Sequence, residues 1–120
     1  MTQEKLATFV SRLHKATMKG QVVWKASNLD DCFQTSLAGY TVQIGLYREE
    51  WHAMQICYVL RILNIVRDLI DESTDATLRP YLDDAPLMMR ALYNEARRQV
   101  RDYDAALDSI LAQLSTMDSK

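Results

Sequence analysis

Tyr40-Thr41-Val42-Gln43-Ile44-Gly45-Leu46-Tyr47 alternates apolar residues with small or polar ones over its whole length. That period of two is the mark of a strand with one face buried: Tyr40, Val42, Ile44 and Leu46 point one way, Thr41, Gln43, Gly45 and Tyr47 the other. The flanking segments read as pieces that pair with this strand or cover its apolar face. It is therefore expected in the middle of an antiparallel sheet.

Upstream, Cys32–Leu37 alternates in the same manner, and Ala38-Gly39 leaves room for a tight hairpin into the central strand. Val22–Ser27 reads as a further short strand, followed by the turn chemistry of Ser27-Asn28-Leu29-Asp30-Asp31. Before it, Leu6, Phe9, Val10 and Leu13 form one stripe of a helix. Thr2 and Glu4 suit its start, and Lys15, Lys19 and Gly20 suit its end.

Downstream, residues 54–64 are rich in β-branched and aromatic side chains and are expected as a strand with apolar residues on both faces. A short return strand over Leu69–Glu72 would complete five. The intervening Ile65-Val66-Arg67 lacks the usual turn residues, which leaves a helical course for 49–72 as the alternative. Ser73–Ala85 reads as a loop.

Asp83 or Asp84 can cap a last helix with Pro86 in its first turn. From Met89 to Leu114 its apolar residues keep one phase. As one helix, Pro86–Leu114 would span roughly 44 Å at 1.5 Å per residue, longer than a compact domain of this size. Either it bends near Asp102–Asp104, or its far end, with Leu107, Ile110, Leu111 and Leu114, packs on another chain. The expected fold is α+β: an antiparallel four- to five-stranded sheet flanked by an N-terminal helix and a long or bent C-terminal helix.

The chain's 120 residues, 48% of them hydrophobic and 25% charged, suit one domain that builds its core without disulfides or metal. A net charge of -2 gives no general electrostatic reason to bind nucleic acid or an anionic membrane. No window has the ~20 continuous apolar residues of a membrane span, and residues 1–10 do not read as a signal peptide. The expected location is cytoplasmic. Cys32 and Cys57 both fall in strands, outside any metal-binding or redox spacing, and read as reduced packing residues.

No nucleophile–base signature is present, and no cofactor motif. His14 reads as a flank of the first helix and His52 as a loop residue. Asp68, Asp71, Glu72 and Asp75 lack the spacing of a calcium loop and read as a charged strand edge. Arg90, Arg97 and Arg101 line up on the last helix roughly 110° from its apolar stripe, with Arg98 nearer to water. They are candidates for holding a phosphate or nucleotide, with Tyr58 or Tyr93 as stacking residues. The competing reading is a solvated face paired with Glu95, Asp102 or Asp104. Trp51, between charged residues, is either a partner-binding anchor or a cover for the sheet edge.

Phe9, Leu13, Thr17, Gly20, Val23-Trp24-Lys25, Phe33, Leu37 through Ile44, Leu60-Arg61-Ile62 and Leu92 through Arg98 together resemble a loosely defined set of small uncharacterised bacterial proteins. These have an N-terminal helix, a β-meander and a C-terminal helix ending in a Leu-Asp-x-Ile-Leu-x-x-Leu run, here Leu107–Leu114. Ile65-Val66-Arg67 departs from them where a Gly turn is common. The resemblance implies a fold and supplies no site residues. The functional expectation is a small non-enzymatic bacterial interaction module, self-associating or binding another protein, with a small anionic ligand on the arginine stripe as the alternative.

Overall fold

A computed structural model describes residues 3–48 and 56–118. Helix α1 (Gln3–Met18) leads into strands β1 (Lys25–Ala26), β2 (Cys32–Leu37), β3 (Tyr40–Arg48), β4 (Ile56–Leu63) and β5 (Leu69–Thr74). Two helices follow, α2 (Asp75–Leu78) and α3 (Ala85–Asp118). The strands form one antiparallel sheet in the order β1-β2-β3-β4-β5, so each pairs with its neighbour in sequence. The architecture is α+β, and the strand read from its alternation is the central one.

Val42 pairs with Ile62, and Ile44 with both Phe33 and Leu60. This aligns the apolar residues of three strands on one face, where Val42, Ile44, Leu60 and Ile62 are buried under Leu6, Val10 and Leu13 of α1 and Met89 and Leu92 of α3. The opposite face is mostly polar, with Gln34 bonded to Gln43 and Arg61 to Glu72. Cys32 and Cys57 both lie in the sheet, Cys32 buried and Cys57 half-buried.

The turns follow from local chemistry. At the β2–β3 hairpin, Ala38 and Gly39 both have positive φ, 52° and 84°, as a twist-matched two-residue loop requires. At the end of α1, Gly20 at φ 73° lets its N–H reach the Thr17 carbonyl and the next N–H reach that of Ala16. The β4–β5 turn, which lacks Gly, is built instead by Asn64. Its side-chain oxygen accepts from the backbone of Val66 and Asp68, and Arg67 takes the left-handed conformation at φ 68°.

Two expectations need correction. The strand expected over Val22–Ser27 shrinks to Lys25–Ala26, because the backbone before it is engaged elsewhere: the Thr35 hydroxyl donates to the Val23 carbonyl, and Trp24 N–H goes to Gln99. The segment Ser73–Ala85 is not all loop. Ser73 and Thr74 extend β5, and Thr74 then caps α2 through a reciprocal pair of hydrogen bonds with Thr77. The strand expected over 54–64 is seen from Ile56, residues 54 and 55 lying outside the described part, while a helical course for residues 56–63 and 69–72 is ruled out.

The last helix does not bend at Asp102–Asp104. It runs unbroken for 34 residues, about 51 Å at 1.5 Å per residue. It crosses the sheet against β4, β3, β2 and β1 rather than running along the strands. Tyr93 marks the crossing, with its ring centroid 5.3 Å from that of Phe33 in β2 and 5.7 Å from that of Tyr58 in β4. Five strands at ~4.8 Å spacing are only about 19 Å wide, so the helix runs out of sheet and leaves past the β1 edge. The molecule accordingly measures 62 × 35 × 28 Å.

Candidate functional site

Up to Ala96 the seam of α3 belongs to the core: Met89, Leu92, Tyr93 and Ala96 are buried. At Gln99 the contact changes character. The side-chain oxygen of Gln99 accepts from Trp24 N–H at 2.8 Å, and its amide nitrogen donates to the Val22 carbonyl at 3.3 Å. One glutamine side chain thus satisfies two backbone groups at the start of the edge strand. The Trp24 indole in turn donates to the buried Thr17 hydroxyl at 3.2 Å, tying α1 to the same corner.

Beyond this clamp every residue from Arg101 to Asp118 is exposed, although the apolar pattern continues. Met89, Tyr93, Ala96, Val100, Tyr103, Leu107, Ile110, Leu114 and Met117 follow one another in strictly alternating steps of four and three. That average of about 3.5 residues is the seam of a coiled coil, which keeps one side of a helix facing a partner helix. Leu111 widens the seam on one flank. Tyr103, Leu107, Ile110, Leu111, Leu114 and Met117 are 40% to 67% exposed, so nothing among the described residues covers them.

At the root of this free half lies a mostly apolar notch of about 360 Å³ between α3 and the β1 edge, lined by Val23, Trp24, Ala26, Gln99, Val100 and Tyr103 together with the charged Lys25 and Asp104. A second apolar groove, of about 470 Å³, lies at the hairpin end of the sheet between Phe9, Tyr40, Val42, Ile62 and Ile70, with Lys5 at its rim. The notch is continuous with the exposed seam.

The arginines divide. Arg98 donates to Glu95 and, at 2.8 Å, to Asp102, so it belongs to a surface ion-pair ladder along the helix. The hydrogen bond from the Arg98 guanidinium holds the Glu95 carboxyl below its ordinary value against an opposing desolvation, and Arg98 is raised in return. Arg90, Arg97 and Arg101 are exposed, and no carboxylate among the described residues lies within ion-pair distance of them. Tyr58 and Tyr93 do not join that stripe as stacking residues. Both rings pack between sheet and helix, and burial, reinforced by the nearby Asp31 carboxylate, pushes the Tyr93 phenol above its ordinary value while Arg97 opposes it.

Trp51 and His52 lie outside the described residues. His14 sits half-buried on α1. In the acidic cluster, one oxygen of Asp71 accepts from Glu72 N–H and the other is enclosed without a partner among the described residues. No group of three His, Cys, Asp or Glu among the described residues is placed to hold a metal ion. No described helix is long and apolar enough to cross a membrane. No family model, curated protein or solved structure matches the chain.

Sequence reasoning reached Leu107, Ile110, Leu111 and Leu114 but not Met117, the notch or the Gln99 clamp. The alternating four-three spacing extends one step past Leu114 and would have found Met117. Nothing local marks Gln99, whose partners lie 75 and 77 residues away.

Proposed function

We propose that this chain is a small non-enzymatic bacterial protein-interaction module, a self-associating adaptor or inhibitor that works by pairing the free half of α3 with another helix. The observation that carries this reading is the continuity of the seam: the spacing that buries Met89, Tyr93 and Ala96 against the sheet persists where no sheet remains. Burying a leucine is worth roughly 1.5–3 kcal/mol. Six large apolar side chains held half-exposed on a preformed helix are a substantial driving force, against which association costs several kcal/mol. The helix is already ordered by its buried half, so little further ordering opposes binding.

The test is molar mass by light scattering on the natural chain and on the double variant Ile110→Asp, Leu114→Asp. The natural chain is expected to dimerise in the micromolar range and the variant to remain a folded monomer. A natural chain that stays monomeric at high micromolar concentration sinks self-association, and a variant that unfolds shows the stripe to be intramolecular core.

A second reading rests on Arg90, Arg97 and Arg101, which have no carboxylate within ion-pair distance among the described residues, while Arg98 is engaged by Glu95 and Asp102. A phosphate or nucleotide on that line would bind more weakly as salt rises. Replacing all three arginines by alanine is expected to abolish such binding, and unchanged affinity would remove the idea.

A further inference from the structure

Resting on the self-association reading, we infer that two copies pair antiparallel, the tip of each free helix seated in the notch at the root of the other. Orientation is decided by sterics. The seam lies on the side of α3 that faces the sheet, because the residues it shares with the core are buried there. A second helix running in the same direction would carry its own sheet, on its own seam side, into the space of the first copy's sheet. A helix running the opposite way carries its sheet beyond the free end.

Length then fixes the register. The free half, residues 101–118, is about 27 Å long at 1.5 Å per residue. An antiparallel pair using all of it sets Leu107 against Ile110 of the second copy, Tyr103 against Leu114, and Val100 against Met117. The last of these pairs falls at the notch formed by Val23, Trp24, Val100 and Tyr103, whose volume of about 360 Å³ has room for a methionine side chain. Met117 is unbranched and adaptable, a suitable filler for an irregular apolar recess. Six half-exposed side chains per copy offer on the order of 600 Å² each way, so the pair removes roughly 1,000–1,200 Å² from water, where specific interfaces begin.

Charge agrees with this register. Between residues 102 and 118 the helix carries Asp102, Asp104, Asp108 and Asp118 and neither Lys nor Arg. An antiparallel partner avoids stacking these acids on one another beside the seam: Asp104 comes opposite Leu111, and Asp118 comes opposite Arg97. Flanking pairs of this kind set the orientation of coiled coils. Arg97 is exposed and has no carboxylate of its own chain within ion-pair distance among the described residues.

Two single-cysteine variants decide the orientation, Tyr103→Cys and Leu114→Cys, each made with Cys32→Ala and Cys57→Ala. On mild oxidation the mixture is expected to give a covalent dimer and neither variant alone to do so. Covalent dimers from each variant alone would show a parallel pair and overturn the inference while leaving self-association intact. The register is tested in the natural background: Arg97→Glu is expected to weaken dimerisation about tenfold and Asp118→Arg added to it to restore it. Dimerisation unaffected by Arg97→Glu, or not restored by the second change, overturns the register. If the natural chain is monomeric at high micromolar concentration, the parent reading fails and this one with it.

Discussion

The two halves of α3 carry the same pattern and meet opposite surroundings. From Ala85 to Val100 the seam lies on the sheet, and its Met89, Leu92 and Ala96 have no accessible surface. From Arg101 onward the same spacing faces water. The difference shows that periodicity specifies which side of a helix needs covering and says nothing of what covers it. In the first half the cover is the sheet together with α1 and α2; where the sheet ends, after about 19 Å of strands, no described residue covers the stripe.

The sharpest way to break this comparison is to make equivalent truncations in the two halves. Leu92→Ala removes a fully buried side chain, and chemical denaturation should show a loss of about 2–5 kcal/mol. Leu107→Ala, measured at dilute monomer concentration, should cost less than about 0.5 kcal/mol, as exposed sites do. Equal losses would mean that the free half packs within its own chain. Removing residues 106–118 sharpens the point: at high dilution the melting temperature should stay within a few degrees of the natural chain's, while any dependence of melting temperature on protein concentration disappears.

At the boundary between the halves, Gln99→Ala leaves Trp24 N–H and the Val22 carbonyl without their partner. Loss of about 1–2 kcal/mol is expected in the same denaturation measurement. If the cost is negligible, water replaces the clamp and the boundary is softer than drawn. The smallest effect is a pH dependence confined to the buried half. Tyr93 has its phenol raised by burial and by Asp31, so its native form holds its proton more tightly than the unfolded chain does. That contribution is fully present below the ordinary tyrosine value near 10 and is lost as pH rises through the raised native value. Tyr93→Phe should flatten the alkaline end of the stability profile.

What the sequence disclosed followed local physics. The alternation in Tyr40–Tyr47 placed the central strand, Ala38-Gly39 marked its hairpin, and the single phase from Met89 to Leu114 marked the helix. The β4–β5 turn carries no glycine at 65–67, and its signal lies one residue earlier in Asn64, itself a turn residue. Helix α2 escaped because four residues are too few to show a period. The notch was out of reach, since Trp24 and Val100 are brought together only by the tertiary fold. The direction of α3 across the strands was equally hidden, and it determines how much of the stripe is left bare.

The Gln99 clamp has a consequence for solution behaviour. The outer rim of a sheet is a row of unspent donors and acceptors onto which a foreign strand can add, and such growth repeats without limit. At the β1 side the strand is two residues long, and an amide from the crossing helix holds the backbone leading into it. A chain that exposes this much apolar helix is thereby guarded against open-ended strand addition at that edge, and in the pairing proposed above the helix contact closes after two copies.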